Sequence, residues 1–494
     1  MQIMRSPFGC FTRRLVVVVL IGLCLSATRA QAQKLSIQGD RFAVDGTPRF
    51  LTFITYFGAM GAPNTIADLH LIRSLGFDGI RIWPNLNTGP ELMNGDGTLR
   101  PDELKLLRFI LDQARLEHLI VDVSFTDHPR GMTPATQGTG ILAATNALRS
   151  YDNLLFDIEN ERNVQDTRYM SEADVARIFA GIKAIDPGRI ATASEAPVEN
   201  AQTAANFTAR VGLDVTAYHD PRGSHWYQLD TIQPMVRALR TNGRPAYLQE
   251  PMTTRDAQFY YPSNDRAEYF LEAIANAKLA GAAAWCFHTE VGVDFREGPP
   301  YLEDRLRSYP EPEWAFVTSL NPRVVLRANN GVSYVVAEGG GGGGVRADRT
   351  AAGPGDWEVL GVSALSGGPL ISGDRVALTT ADGIHVLQAA NGGGGPLRAS
   401  SQSVGAWETF TIEKSGGGVI HHGDSIALRT GDGSWYVVAD GGGGGSVNVT
   451  STSRSGWETF TILFVTPHSS QVSAGGSIHA PARQQPIREP VRQQ

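Results

Sequence analysis

The chain is expected to fold as an α/β TIM barrel, (β/α)8, followed by an all-β domain, the β-trefoil. Two observations lead there. Across residues 34–320, eight short apolar runs alternate with segments of helical spacing. From about residue 321 the alternation stops, and Trp357, Trp407 and Trp457 recur 50 residues apart.

The apolar runs are Arg49–Phe57, Asp78–Pro84, Leu119–Thr126, Asn153–Glu161, Ile190–Ala196, Leu213–His219, Pro245–Glu250 and Gly281–His288. Most are near-continuous, as expected of parallel strands buried on both faces. Ile66–Leu75, Asp102–His118, Glu172–Ile185 and Arg266–Leu279 have helical spacing, and Ser171 and Asn264 stand at N-cap positions. Eight strands with interleaved helices fit a closed barrel over 33–320 better than an open doubly wound sheet. No G-x-G-x-x-G or P-loop pattern follows a strand, which argues against nucleotide binding.

In the repeat region each Trp-Glu pair follows a glycine run, and each glycine run follows a strand-like segment: Ser333–Ala337, Ile384–Ala389 or Trp435–Ala439. Self-similarity at a fixed period marks a repeat architecture. Propellers need about four blades or more, so three copies point to a trefoil over residues 321–466. The repeated tryptophans, with Leu326, Leu378 and Leu428, are then expected in the core rather than against a ligand, since large aromatics usually serve burial.

Arg5, Arg13 and Arg14 precede an apolar stretch from Leu15 to Leu25, and Ala30-Gln31-Ala32 offers a cleavage site. Residues 1–32 therefore read as a signal peptide, and the product as periplasmic or extracellular. Cys10 and Cys24 lie inside that leader, so only Cys286 would remain, with no internal disulfide. The formal charge of −7, without Lys/Arg clusters, argues against nucleic acid or anionic membrane as partner. Residues 467–494, rich in Ser, Gln, Pro and Arg, are expected to be disordered.

Glu161 and Glu250 each stand where an apolar run ends. In a (β/α)8 barrel the C-terminal strand ends form the catalytic face, so strands four and seven would bring these carboxylates together. A carboxylate pair flanking one bond is the minimal equipment for glycoside hydrolysis. Glu159, Glu195 and Glu290 also lie near strand ends, so residue type and position alone leave the pair open. No metal or cofactor is expected, because no His/Cys/Asp cluster has ligand spacing.

Several short motifs sharpen the choice. Phe42-Ala43-Val44-Asp45-Gly46, Gly79-Ile80-Arg81-Ile82-Trp83, Asn160-Glu161 and Glu250-Pro251 resemble segments of the clan A glycoside hydrolases, especially the cellulase-like family five enzymes. The resemblance implies Glu161 as general acid/base and Glu250 as nucleophile of a retaining β-glycosidase. It implies Arg81 beside the nucleophile, Asn160 on the sugar 2-hydroxyl, and His219 at the end of strand six. Trp285 would lie under the scissile sugar, and His128, after strand three, is a further subsite candidate. Where the family often places a tyrosine two residues after the strand-six histidine, this chain has Pro221; Tyr218, Tyr227 and Tyr261 are candidate substitutes. The repeats resemble fascin-like trefoils, and trefoils attached to secreted hydrolases imply a glycan-binding accessory role. A transglycosylase on the same site, a non-catalytic glycan-binding barrel, and a trefoil acting only as spacer are the alternatives.

Overall fold

The computed structural model describes residues 33–465, apart from 87–88, 126–131, 221, 253–265, 293–294, 297, 309–310 and 352–355. The expected leader and tail, and His128, Pro221, Tyr261 and Asn264, lie outside the described residues.

The described chain opens with three short antiparallel strands, β1 (Leu35–Gln38), β2 (Arg41–Val44) and β3 (Thr47–Pro48). Eight parallel strands follow: β4 (Leu51–Thr55), β5 (Gly79–Ile82), β6 (Ile120–Ser124), β7 (Leu154–Asp157), β8 (Ile190–Thr192), β9 (Thr216–Tyr218), β10 (Ala246–Leu248) and β11 (Ala284–Phe287). Between and after them run helices α1 (Thr65–Ser74), α2 (Pro101–Leu116), α3 (Pro134–Ala147), α4 (Glu172–Ile185), α5 (Ala201–Val211), α6 (Leu229–Leu239), α7 (Ala267–Ala280), α8 (Leu302–Ser308) and α9 (Glu311–Val317). Ser171 caps α4 by accepting a hydrogen bond from Asp174 N at 3.1 Å, as its position suggested. Among the described residues no helix is long and apolar enough to cross a membrane.

The parallel strands pair in the order β8-β7-β6-β5-β4-β11-β10-β9. A parallel bridge between Glu195 and Tyr218 joins the two ends, so the sheet closes into a barrel. Side chains alternate across its wall. Leu51, Phe53, Ile120, Leu155, Val215, Tyr247 and Cys286 fill the inside, where Leu35, Phe42 and Val44 of β1 and β2 join them. The β1–β2 hairpin thus plugs the barrel's N-terminal end and leaves the C-terminal end as the mouth. Ile54, Ile80, Val121, Phe156, Leu248 and Trp285 face outward into the helical layer.

The second domain is all antiparallel: β12 (Arg323–Ala328), β13 (Tyr334–Ala337), β14 (Val345–Arg349), β15 (Leu360–Ala364), β16 (Arg375–Thr379), β17 (Val386–Ala389), β18 (Gly395–Ser401), β19 (Phe410–Lys414), β20 (Ser425–Thr430), β21 (Tyr436–Ala439), β22 (Gly445–Ser451) and β23 (Phe460–Val465). Strand β12 pairs with β15 and β23, β16 with β15 and β19, and β20 with β19 and β23. These pairings form a closed ring, a small barrel. Hairpins β13–β14, β17–β18 and β21–β22 stand beside it, one per repeat. Leu326, Leu378 and Leu428 lie in its core as expected.

The repeated tryptophans do not. Trp357, Trp407 and Trp457 are 47%, 47% and 52% exposed. Each precedes its strand and lies outside it, against a glycine-rich turn: a Cβ on Gly340, Gly392 or Gly442 would stand 3.1, 3.4 or 3.2 Å from the respective indole. The core positions of the motif are taken instead by Leu360, Phe410 and Phe460, inside the strands.

The two domains meet away from the mouth. Lys278, in the last turn of α7, donates to Asp374 Oδ2 at 2.8 Å and to Pro369 O at 2.9 Å, and Phe50 N, just before β4, donates to Ser366 O at 2.7 Å. These contacts leave the C-terminal strand ends uncovered by the second domain.

The strand carrying Arg81 has no room to spare. A Cβ on Gly79 would lie 2.5 Å from both Ile120 O and the Phe53 ring. Gly79→Ala is expected to lower the barrel's stability by about 1–3 kcal/mol, seen as an earlier urea midpoint for the barrel's transition. An unchanged midpoint would mean that β5 and β6 can separate at no cost.

Candidate active site

At the mouth, one guanidinium organises the polar groups. Arg81, on β5, is fully buried. Its Nη1 donates to Glu250 Oε1 at 2.6 Å, and its Nη2 to Asn160 Oδ1 at 2.7 Å and Asp157 Oδ2 at 3.1 Å. Its Nε donates to Ser124 Oγ at 3.0 Å and lies 3.5 Å from Asp122 Oδ2. Beneath it lies Trp83, whose ring is 4.4 Å from the guanidinium carbon. Partners from β6, β7 and the segments after β7 and β10 are thereby fixed to one planar donor on β5. Burial works against the charge of Arg81, but Glu250, Asp122 and Asp157 outweigh it and raise its pKa. Asp122 is pushed up to about 7, first by burial and then by Asp157, against the pull of Arg81.

Glu250 follows β10 and is 6% exposed. Beyond Arg81, its Oε2 lies 3.3 Å from His219 Nδ1, 3.5 Å from Arg222 Nη2 and 3.8 Å from His288 Nε2. Burial opposes ionisation, yet His219, His288, Arg81 and Arg222 together hold the carboxyl well below the ordinary carboxylate range. Burial pushes His288 down to about 3, against the opposing pull of the Glu250 carboxylate.

Glu161 reaches the same spot by a different route. Strand β7 ends at Asp157, and the chain turns so that Glu161 has a left-handed φ of 53°. A non-glycine residue held at positive φ is uncommon and concentrates at functional sites. Ser194 Oγ accepts from Glu161 N at 3.1 Å and helps to fix that turn. The turn also separates Glu161 from Glu159, which leaves the mouth to accept from Gln137 Nε2 at 2.8 Å. Glu195 is likewise withdrawn, ion-paired with Arg162.

The carboxylate of Glu161 is partly exposed and bound at both oxygens. Oε1 is 3.0 Å from His219 Nδ1, and Oε2 accepts from Arg168 Nη1. Arg168 is itself clamped by Asp166, with Nη2 to Oδ2 at 2.7 Å and Nε to Oδ1 at 3.1 Å. Burial raises the pKa of Glu161, as does Glu250, but the hydrogen bond and charge of His219 together with Arg168 lower it overall. These surroundings favour the ionised form of both glutamates, whereas the sequence reading requires one to keep its proton.

Ligand-type atoms of Glu161, His219 and Glu250 all lie within 4.8 Å of one another. Two carboxylates that only accept face one imidazole nitrogen, so His219 Nδ1 carries the proton between them. These three side chains have the composition of a metal site, which the sequence spacing did not suggest. The guanidiniums of Arg81, Arg168 and Arg222 already neutralise the same oxygens and compete with any cation there.

The structure thus brings Arg81, Asn160, Glu161, His219 and Glu250 together, while His128 lies outside the described residues. Trp285 belongs elsewhere. It is fully buried on the outer face of β11, against Phe316 and Phe287, and offers no face to the mouth. Strand alternation is the reason: Trp285 shares its parity with Phe287, and His288, one residue on, points inward. The aromatic surface at the mouth is instead Phe57 stacked on Trp83, with ring centroids 4.0 Å apart. Tyr218 and Tyr227 do not replace the family tyrosine. The first donates to Glu199 O at 2.8 Å, and the second stacks on Tyr269. Arg222 takes the place near Glu250. Arg168, Arg222 and His288 were missed in the sequence; only His288, at the end of its apolar run, carried a positional signal.

No family model and no curated protein matches this chain. Solved structures do. The chain is similar to GH5_18 from Streptomyces cattleya in complex with GlcNAc, at 19% identity and a TM-score of 0.42 over 55% of this chain and 79% of that one. It is similar to a beta-mannanase from the blue mussel Mytilus edulis, at 14% identity and a TM-score of 0.38 over 57% of this chain and 98% of that one. A third structure, described as a glycoside hydrolase, is 11% identical with a TM-score of 0.44 over 88% of this chain and 97% of that one.

Proposed function

We propose that the barrel is a retaining β-glycosidase, exported to the periplasm or beyond, that acts on an oligosaccharide or polysaccharide. The observation that carries this reading is the approach of Glu161 and Glu250 oxygens to within 4.8 Å at the barrel mouth. Retaining enzymes hold their carboxyls about 5–5.5 Å apart, and inverting ones about 6.5–9.5 Å to admit a water.

In this reading Glu250, kept ionised by Arg81, attacks the anomeric carbon while the bond to the leaving oxygen breaks. Glu161, at the more exposed edge, gives its proton to that oxygen. A water then attacks the glycosyl ester, Glu161 takes the water's proton, and Glu250 departs as carboxylate. Asn160 accepts from Arg81 through its carbonyl oxygen, so its amide NH2 is available to a sugar 2-hydroxyl. To act as the acid, Glu161 must lose its tie to Arg168 as the leaving group enters. Displacing that cation and excluding water both favour the protonated form.

The three-repeat domain, with its closed ring of six strands and one hairpin per repeat, supports the β-trefoil reading of the fascin-like kind. Its placement away from the mouth suits an accessory domain that holds glycan while the barrel works.

One observation favours a second reading. The Arg168–Glu161 ion pair suits a barrel that binds glycan without turning it over, because an ionised Glu161 has no proton to give.

Two experiments separate these readings. Glu250→Gln should lower kcat on an aryl β-glycoside by about a thousandfold or more, and undiminished turnover would remove Glu250 as nucleophile. Arg168→Ala removes a cation that favours the Glu161 carboxylate, so the pKa of Glu161 rises and more of it is protonated at neutral pH. The alkaline limb of kcat/KM should therefore move to higher pH. A limb that stays in place or moves down would detach that ionisation from Glu161.

A further inference from the structure

We infer that the cleft between the second and third repeats of the all-β domain is a saccharide-binding site. The choice of a saccharide rests on the glycosidase reading of the barrel; the existence of the site rests on two positions at which the repeats depart from one another.

The strand registers align the repeats residue by residue. Tyr334, Val386 and Tyr436 each open a hairpin strand and pair with Arg349, Ser401 and Ser451. The residue just before them is Ser333, His385 or Trp435. In the glycine-rich turn that follows, the middle residue is Gly339, Asn391 or Gly441, with φ of 73°, 57° and 68°. Two repeats fill this left-handed position with glycine, the residue that adopts it without strain. The second repeat places an asparagine there, which projects an amide where its relatives have only hydrogen.

Both departures converge on one cavity. A cleft of about 430 Å³ is lined by Trp407 of the second repeat, Trp435 of the third, Asn391, Asp432 and Arg375. Glycines pack it from below: a Cβ on Gly392 would stand 3.4 Å from the Trp407 indole nitrogen, and one on Gly393 would strike the Trp435 ring. The cleft is of ordinary ligand-pocket size. Every repeat has its exposed tryptophan, but among the described residues only here does a second tryptophan from the next repeat line the same cleft.

Asp432 has a plain structural role: it accepts from Thr430 Oγ1 at 2.6 Å, Ser434 Oγ at 2.8 Å and Ser434 N at 3.0 Å, which shapes its turn. Those bonds also fix the carboxylate at the cleft wall, where its remaining lone pairs can accept. A pyranose ring has an apolar C–H face and an edge of hydroxyls that both donate and accept. Indole faces suit the first; amide, carboxylate and guanidinium suit the second.

The test uses the full-length Glu250→Gln protein, so that the probe is not consumed, titrated calorimetrically with cellohexaose, mannohexaose and xylohexaose. At least one hexaose is expected to bind with two sites per chain, one in the barrel and one in the cleft. Trp435→Ser, which installs the residue of the first repeat, should weaken the cleft site at least about tenfold and leave the barrel site. Asn391→Gly, which installs the residue of the other two repeats and relieves a positive φ, should weaken the same site without disturbing the fold. Trp357→Ala should leave both sites. One site in the parent that vanishes in Trp435→Ser would sustain the cleft and overturn saccharide binding by the barrel. No binding of any hexaose, binding indifferent to both Trp435→Ser and Asn391→Gly, or equal loss in Trp357→Ala would overturn the cleft.

Discussion

The site depends on burying one permanent cation among acids. Arg81 has no contact with solvent, and carboxylates of Asp157 and Glu250 lie within 3.1 Å of its nitrogens, with Asp122 at 3.5 Å. A buried ion pair is costly to assemble, and removing one member leaves the others uncompensated. The guanidinium therefore ties strands together electrostatically as well as sterically. With His219 and His288 it holds Glu250 ionised, against the effect of burial. It also turns Asn160 so that the amide donors remain available. Gly79, two residues earlier on the same strand, has no space for a Cβ, so the backbone that aims Arg81 is fixed by packing.

From this anchor the two glutamates acquire different surroundings. Glu250 is enclosed by His219, His288, Arg81 and Arg222, and its carboxylate form is favoured throughout. Glu161 stands on a strained turn at the edge, and its ionisation depends on two partners, His219 and Arg168. Arg81, the nearest cation to Glu250, is part of the barrel wall, whereas Arg168, the cation on Glu161, comes from a loop position beyond β7. Unlike environments around two neighbouring carboxyls are the usual means of giving them separate roles. The loop arginine is a natural point at which an entering leaving group exerts control.

Much of the barrel was legible because its strands are buried on both faces and read as continuous apolar runs. Glu161 and Glu250 were two of several glutamates near the ends of such runs, and the resemblance carried by Asn160-Glu161 and Glu250-Pro251 singled them out. Strand alternation explains the miss at Trp285: neighbouring residues along β11 face opposite sides of the wall, so Trp285 and Phe287 point outward while His288, just past the strand, points inward. Arg168 and Arg222 sit on loops, where no periodicity announces which residues return to the mouth. The repeat count and the leucine core of the second domain followed from spacing alone. The exposure of its tryptophans did not, because the glycine-rich turn that each one covers lies outside the strand pattern. That exposure moves the tryptophans from the packing of the domain to its surface chemistry.

The central claim is that Glu250 forms a bond to the sugar while Glu161 manages the proton. The most direct measurement is the mass of the protein after incubation with a panel of activated 2-deoxy-2-fluoro β-glycosides, followed by peptide mapping. A one-to-one adduct of one fluorosugar, located on Glu250, is the expected result. An adduct on another residue, or turnover of the probes to products of inverted anomeric configuration with no adduct, would contradict it.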